Sequence, residues 1–245
     1  MVLPVWAPCN ILKRLEHAIM AQTVLTLQKE KKTTQESLSD FIVLHRTVFL
    51  SVLAVFVVGL VALCVALGLS DRATSRGIAA VDSIEYALVR ESSGLSDDEL
   101  STRRETALES LAPYAAKNGI VGVRAAMLSA DVHFQKQDFA AARESYLAAA
   151  QKGKKTYTEP LNYFNAAVCS EQLSDTASAA TYYGQAAESA DFLLRSRALF
   201  ALGRTKEALS DLQGAINAYR QLVDLNITDS WTNLAHSRLI VLETE

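Results

Sequence analysis

The sequence predicts an all-α chain in which a single membrane-spanning helix precedes a solenoid of helix hairpins. Two observations carry this. One is an apolar run from Thr47 to Leu69 with no charge and no proline. The other is a trio of Asp, Ala and Tyr at spacings of four and eight that recurs along the second half of the chain. Half of the 245 residues are hydrophobic and 21% are charged, but the apolar excess is concentrated in the first of these features.

The run TVFLSVLAVFVVGLVALCVALGL occupies residues 47–69. At 1.5 Å per residue it makes a helix of roughly 34 Å, against about 30 Å of bilayer hydrocarbon. Lys and Arg close to a span resist translocation. Lys29, Lys31, Lys32 and Arg46 precede this one, and Arg72 and Arg76 follow it. The expected orientation is therefore a cytoplasmic N-terminus and an extracytoplasmic C-terminal part, periplasmic in a bacterium with the span in the inner membrane. A signal sequence has a shorter apolar core, about 7–15 residues, so the segment reads as an uncleaved anchor. The Ala66-Leu67-Gly68 triplet is the only cleavage-like site. A lipoprotein-type box ending at Cys64 has Leu63 where a small residue is wanted.

Residues 1–46 read as a cytoplasmic tail, polar and weakly helical or disordered over 28–40. The alternative is a surface-lying amphipathic helix over 10–28, with Ile11, Leu12, Leu15, Ala18 and Ile19 on one face. Met20 is a second candidate start. Residues 70–76 read as a linker, and 77–245 as the helical domain.

In that domain the trio is Asp138, Ala142, Tyr146; then Asp175, Ala179, Tyr183; then Asp211, Ala215, Tyr219. Asp at a helix start accepts hydrogen bonds from the unpaired first N–H groups and opposes the positive end of the dipole. Ala and Tyr four residues apart share a helical face, the small side chain admitting a partner helix and the ring filling the space beyond. Each Asp thus opens the second helix of a hairpin. The first helices are VRAAMLSADVHFQ, LNYFNAAVCSEQL and RALFALGRTKEAL. The hairpins span about 120–156, 160–193 and 195–226. A degenerate pair at 77–119, its second helix capped by Asp97 or Asp98 and ended by Gly119, precedes them. A closing helix at 230–242 follows, with Trp231, Leu234, Ala235, Leu239 and Leu242 on its buried side.

This pattern resembles the tetratricopeptide repeat. The small eighth position is Ala130, Ala167 or Gly203, the small twentieth is Ala142, Ala179 or Ala215, and the aromatic twenty-fourth is Tyr146, Tyr183 or Tyr219. The eleventh position departs, with His133, Ser170 and Lys206 where the family prefers Tyr, and the usual closing Pro is absent. The order of elements is similar to that of the YfgM-like ancillary subunits of the SecYEG translocon, with a short N-terminus, one span and a periplasmic repeat domain. That resemblance implies a partner in the translocon and a role in passing unfolded secreted chains to periplasmic chaperones.

The tetratricopeptide resemblance also implies a concave binding face at positions two, five, nine and twelve of the first helices. These are Arg124, Met127, Asp131 and Phe134; Leu161, Phe164, Val168 and Glu171; and Arg197, Phe200, Arg204 and Glu207. Met127, Phe164 and Phe200 make a large apolar row suited to a hydrophobic or aromatic segment of a protein, with arginines beside it for carboxylates. The competing reading is that a neighbouring helix covers the row. The clamp that some of these repeats use for a chain-terminal carboxylate needs cations or amides at Met127, Asp131, Asn165, Arg197 and Ala201, and only Asn165 and Arg197 fit.

No catalytic or metal-binding spacing accompanies these features. Cys9, Cys64 and Cys169 fall in three separate segments, and His17, His45, His133 and His236 are scattered. A lone helical cysteine such as Cys169 is most often a small buried hydrophobe. The net charge of residues 70–245, 18 Lys+Arg against 23 Asp+Glu or −5, disfavours nucleic acid. The expectation is a protein-binding adaptor with no enzymatic activity, cofactor or small-molecule substrate. Two alternatives are a scaffold for envelope assembly or cell division, and a ligand-binding component of a transporter.

Overall fold

The computed structural model describes residues 34–244. Among them ten α-helices and a 3-10 turn at Ser92–Gly94 follow one another without a strand. The expectations for Lys29, Lys31 and Lys32, for a surface helix over 10–28 and for a start at Met20 lie outside the described residues.

Helices α1 (Thr34–Leu44) and α2 (Arg46–Val89) open the described chain. Residues 34–44, expected in the tail, are thus helical. His45 separates the two helices by one residue, yet its N–H donates to the Phe41 carbonyl at 3.1 Å and its carbonyl accepts from Phe49 at 3.0 Å. Every large apolar side chain from Val48 to Leu69 is exposed, and among the described residues α2 is the helix long and apolar enough to cross a membrane. Covering each such side chain is worth about 1.5–3 kcal/mol, so this surface calls for lipid or protein around it.

The helix does not stop at Leu69. Residues 70–76, expected to be a linker, continue α2, because SDRATSR contains neither Gly nor Pro to break it. Two compact units meet inside α2, between Leu67 and Gly68, and the second holds all the hairpins.

In that second unit the last turns of α2 pair with α3 (Asp97–Ala115) and α4 (Gly119–Gln135). Val81, Leu111, Val121 and Ala125 form their shared core. A Cβ on Gly77 would meet the Val121 side chain at 2.9 Å, so glycine lets α2 approach α4. Ser96, not Asp97 or Asp98, caps α3. Its hydroxyl accepts from the Glu99 N–H at 3.4 Å while the Glu99 carboxylate accepts the Ser96 N–H at 2.9 Å, a reciprocal capping box. The two aspartates sit in the first turn, where they favour the dipole. Helix α3 ends at Ala115, and Gly119, with φ of 72°, starts α4 instead of ending α3.

Three hairpins follow: α4 with α5 (Phe139–Lys152), α6 (Thr158–Gln172) with α7 (Thr176–Glu188), and α8 (Arg195–Ala208) with α9 (Leu212–Asp224). One turn serves all three. Gln137, Ser174 and Ser210 take φ of 60°, 58° and 61°. The next N–H, of Asp138, Asp175 or Asp211, reaches back to the carbonyl of His133, Ser170 or Lys206 at 2.8–3.0 Å. This is the Schellman arrangement that ends a helix by satisfying its last carbonyls. Each Asp then caps the following helix as expected, accepting from Ala141, Ser178 or Gly214 at 3.2, 3.1 and 2.9 Å. Hydrogen bonds from Ser178 hold the Asp175 carboxyl below its ordinary range, and the Lys206 hydrogen bond, then the Gly214 N–H, does the same for Asp211.

The hairpin cores follow the register. Ala142, Ala179 and Ala215 are wholly buried, with Tyr146, Tyr183 and Tyr219 buried one turn on. In the third hairpin the ring comes so close that a Cβ on Gly203 would stand 2.4 Å from Tyr219. Cys169 is wholly buried in the core beside Ala130, Ala142 and Tyr146, and burial pushes its thiol up to about 11. The closing helix α10 (Ser230–Leu242), capped by Asp229 through the Thr232 N–H at 2.8 Å, buries Ala235 and Leu239 and half-buries Trp231 and Leu242. Leu234, expected on the buried side, is 47% exposed. It occupies the fifth position of its helix, which the next helix covers elsewhere, and no described helix follows α10.

Candidate protein-interaction face

At the last two joints the second position of a first helix packs on the fifth position of the helix before it. Arg197 lies over the ring of Phe164, 5.2 Å from its centroid. Trp231, second in α10, packs on Phe200 with centroids 5.5 Å apart. Position nine meets position twelve of the preceding unit in the same way. Arg204 pairs with Glu171, and Arg238 pairs with Glu207.

Those two glutamates also receive the repeat tyrosines. Tyr183 donates to Glu171 at 2.8 Å, and Tyr219 donates to Glu207 at 2.5 Å. In the first hairpin Tyr146 donates to Asp131, one turn earlier in its helix. Burial and then these carboxylates push the three phenols well above their ordinary range, so the proton stays on tyrosine. Burial opposes ionisation of Glu207, but the hydrogen bonds from Arg238 and Tyr219 outweigh it and hold the carboxyl below its usual value. Asp131 has no arginine. Burial raises its carboxyl, the Tyr146 hydrogen bond offsets part of this, and the Glu85 charge adds to it.

The residues expected to line an apolar groove divide between surface and interior. Phe164 is 4% exposed and belongs to the core, edge-on to Tyr183 at 5.4 Å and tilted to Phe192 at 6.1 Å. Phe200 is half-buried between Tyr219 and Trp231. The large apolar row is therefore covered in its middle by the next helix, as the competing reading had it. Met127, Phe134 and Val168 are half-buried, with Phe134 edge-on to Phe139 at 5.2 Å. Arg124 turns to α2, meeting Asp82 at 2.6 Å and Glu85 at 3.8 Å. Arg197 and Arg204 are exposed. What faces solvent is Arg197 and the Glu171-paired Arg204 beside partly covered rings.

Sequence reasoning placed Glu171 and Glu207 on this face without a role and missed their joint use by Tyr and Arg. The signal was present, since Glu171–Tyr183 and Glu207–Tyr219 share one twelve-residue spacing. Trp231, half-buried on the packed side of α10 as expected, also stands at the edge of this face, against Phe200. Another exposed apolar pair, Tyr157 at 83% and Leu193 at 97%, borders a cavity of about 880 Å³ on the loops before α6 and α8. Among the described residues no cluster of three His, Cys, Asp or Glu side chains is arranged to hold a metal.

Comparison with known proteins fits this geometry. Residues 196–226 match the tetratricopeptide repeat family. The hairpins form a tetratricopeptide-like solenoid. The matched stretch is the third hairpin, where Gly203, Ala215 and Tyr219 fill the eighth, twentieth and twenty-fourth positions. A TPR repeat-containing protein of Treponema pallidum (strain Nichols) is 33% identical over 135 residues, which cover 55% of this chain and 56% of that protein. The chain thus aligns with about half the length of that relative. No solved structure matches this chain. Tetratricopeptide repeats mediate protein–protein interactions.

Proposed function

We propose that this chain is a membrane-tethered adaptor whose solenoid binds proteins outside the cytoplasm, at the Sec translocon, where it links emerging secreted chains to extracytoplasmic chaperones. The observation that carries the tether is α2, whose apolar side chains from Val48 to Leu69 are all exposed while the same helix continues to Val89 and places Val81 in the core with Leu111 and Val121. A solenoid attached to a span works close to the bilayer surface. The translocon as partner rests on the order of elements that this chain shares with the YfgM-like subunits. The binding face rests on the exposed arginines and half-covered rings of the first helices.

In-cell photocrosslinking from Arg204 or Met127, followed by identification of the adducts, tests the partner. Translocon subunits or periplasmic chaperones are the expected adducts, and recovery of only envelope-assembly or division proteins defeats the translocon role. Topology is tested separately by cysteine labelling at Ser70. A membrane-impermeant reagent applied from outside is expected to react there, and protection until the cell is lysed reverses the orientation.

A further inference from the structure

Three arginines of the first helices and α10 are ion-paired within the molecule, and Arg195 donates its Nε–H to the Ala187 carbonyl at 2.9 Å. Arg124 meets Asp82, Arg204 meets Glu171, and Arg238 meets Glu207. Arg197 differs, for among the described residues it makes neither an ion pair nor a hydrogen bond. Its exposed guanidinium is held between rings instead, 5.2 Å from the Phe164 centroid and 5.7 Å from that of Trp231. Stacking of this kind satisfies the flat faces of a guanidinium and leaves its N–H edges free. Neighbouring carboxylates do not supply a partner. Glu171 already takes Tyr183 and Arg204, and Asp229 takes the Thr232 N–H and hydroxyl and the Ser196 hydroxyl. Arg197 and Arg204 both act on the Tyr183 hydroxyl as positive charges, against Glu171 alone. The face therefore carries one uncompensated, pre-oriented cation beside the half-buried rings of Phe200 and Trp231.

We infer that Arg197 receives a side-chain carboxylate from an internal segment of a protein partner that carries Asp or Glu next to an aromatic residue, the ring settling against Phe200 and Trp231. The inference rests on reading this face as the binding face and names what it selects. A planar guanidinium with free edges suits a carboxylate, which it can grip through two parallel hydrogen bonds. The adjoining rings supply apolar ground for an aromatic neighbour. A chain-terminal carboxylate fits poorly, because the positions that would surround it include Met127, Ala201 and the acid Asp131.

The test presents the full chain in lipid nanodiscs to a display library of random segments fused at both ends, so that no free terminus is offered. Enriched segments are remade as amidated peptides and titrated by fluorescence anisotropy. Expected is a consensus with an acid beside an aromatic residue. Changing that acid to its amide, or Arg197→Gln in the protein, should weaken binding roughly ten- to hundredfold. Arg197→Lys should fall between, since a point charge neither stacks nor forks. Thermal melts check that these variants stay folded. A consensus without acids, equal binding by Arg197→Gln, a requirement for a free C-terminus, or no enrichment at all overturns the inference. Crosslinking in cells separates it from the wider reading. Equal adducts with Arg197→Gln remove this role and keep the face, whereas wild-type chain without adducts removes the face itself.

Discussion

At the joint between the second and third hairpins, positions twelve and nine hold Glu171 and Arg204. At the joint between the first and second, the same positions hold Phe134 and Val168. The first joint compensates elsewhere, with Arg143 on α5 reaching the cap of the next hairpin at Asp175, 2.9 Å away. Ala180 and Ile216 stand where Arg143 does in the later hairpins, and there Asp211 takes Lys206 of its own hairpin at 2.7 Å. One register thus supports two ways of joining units. The later joints put a carboxylate, a tyrosine and an arginine together on the exposed face, and the earlier one keeps that place apolar and moves its ion pair to the second helices. Cations on this face are in consequence concentrated toward α8 and α10, where Arg197 is left without an acid.

Gly203→Ala should have the largest effect. The Tyr219 ring fills the space a methyl would need, so the variant should lose about 1–3 kcal/mol in chemical denaturation of the detergent-solubilised chain. Ala130 and Ala167 already carry that methyl at the same position in the other hairpins, and there Ala→Gly should cost only about 1 kcal/mol of helix propensity. Equal losses at all three positions would mean the third hairpin is not packed more closely.

A second test compares Glu207→Gln with Asp131→Asn across pH. Glu207 is held below its ordinary value, so its contribution is present above the unfolded pKa and is lost as pH falls through the folded one. Asp131 is raised, so its contribution is present below the unfolded pKa and is lost as pH rises through the folded one. Thermal melts between about pH 3 and pH 7 should show the Glu207→Gln deficit growing with pH. The Asp131→Asn variant should gain on wild type over the same range. Parallel trends would refute the difference between the joints.

Smaller effects concern what the hairpins share. Ser174→Gly and Ser210→Gly remove the strain of a left-handed backbone and should stabilise by about 0.5–1 kcal/mol each, measured by the denaturation midpoint. Cys169 should resist thiol reagents at neutral pH until the chain is unfolded, because burial raises its thiol and its side chain is wholly enclosed. Labelling of the folded chain at that position would show that the first joint opens.

The parts of this fold that were legible in the sequence are those fixed by local chemistry. Asp138, Asp175 and Asp211 could be read as caps because a short acid before a helical face has few other uses, and Ala and Tyr at spacing four announce a close helix contact. Misreadings came where two local signals competed or where a distant element decided. Ser96 and Asp97 both suit a cap, and only the return bond from Glu99 separates them. Gly119 suits a helix end or a positive-φ entry, and the chain uses the second. Phe164 reads as a groove residue from its position alone. It becomes core because Phe192 in the turn after α7 and Arg197 of the next hairpin cover it, and pattern within a single helix cannot show that. SDRATSR looked like a linker for its polarity, but polarity without a breaker does not interrupt a helix.

The turn built on Gln137, Ser174 and Ser210 has a consequence for how such chains diverge. Its geometry is written in backbone hydrogen bonds and one aspartate, so a duplicated unit brings its own corner and needs no matching change in its neighbours. Side chains beyond the corner are then free to drift toward apolar or charged joints. A copy made this way stays superimposable long after its residues cease to look alike.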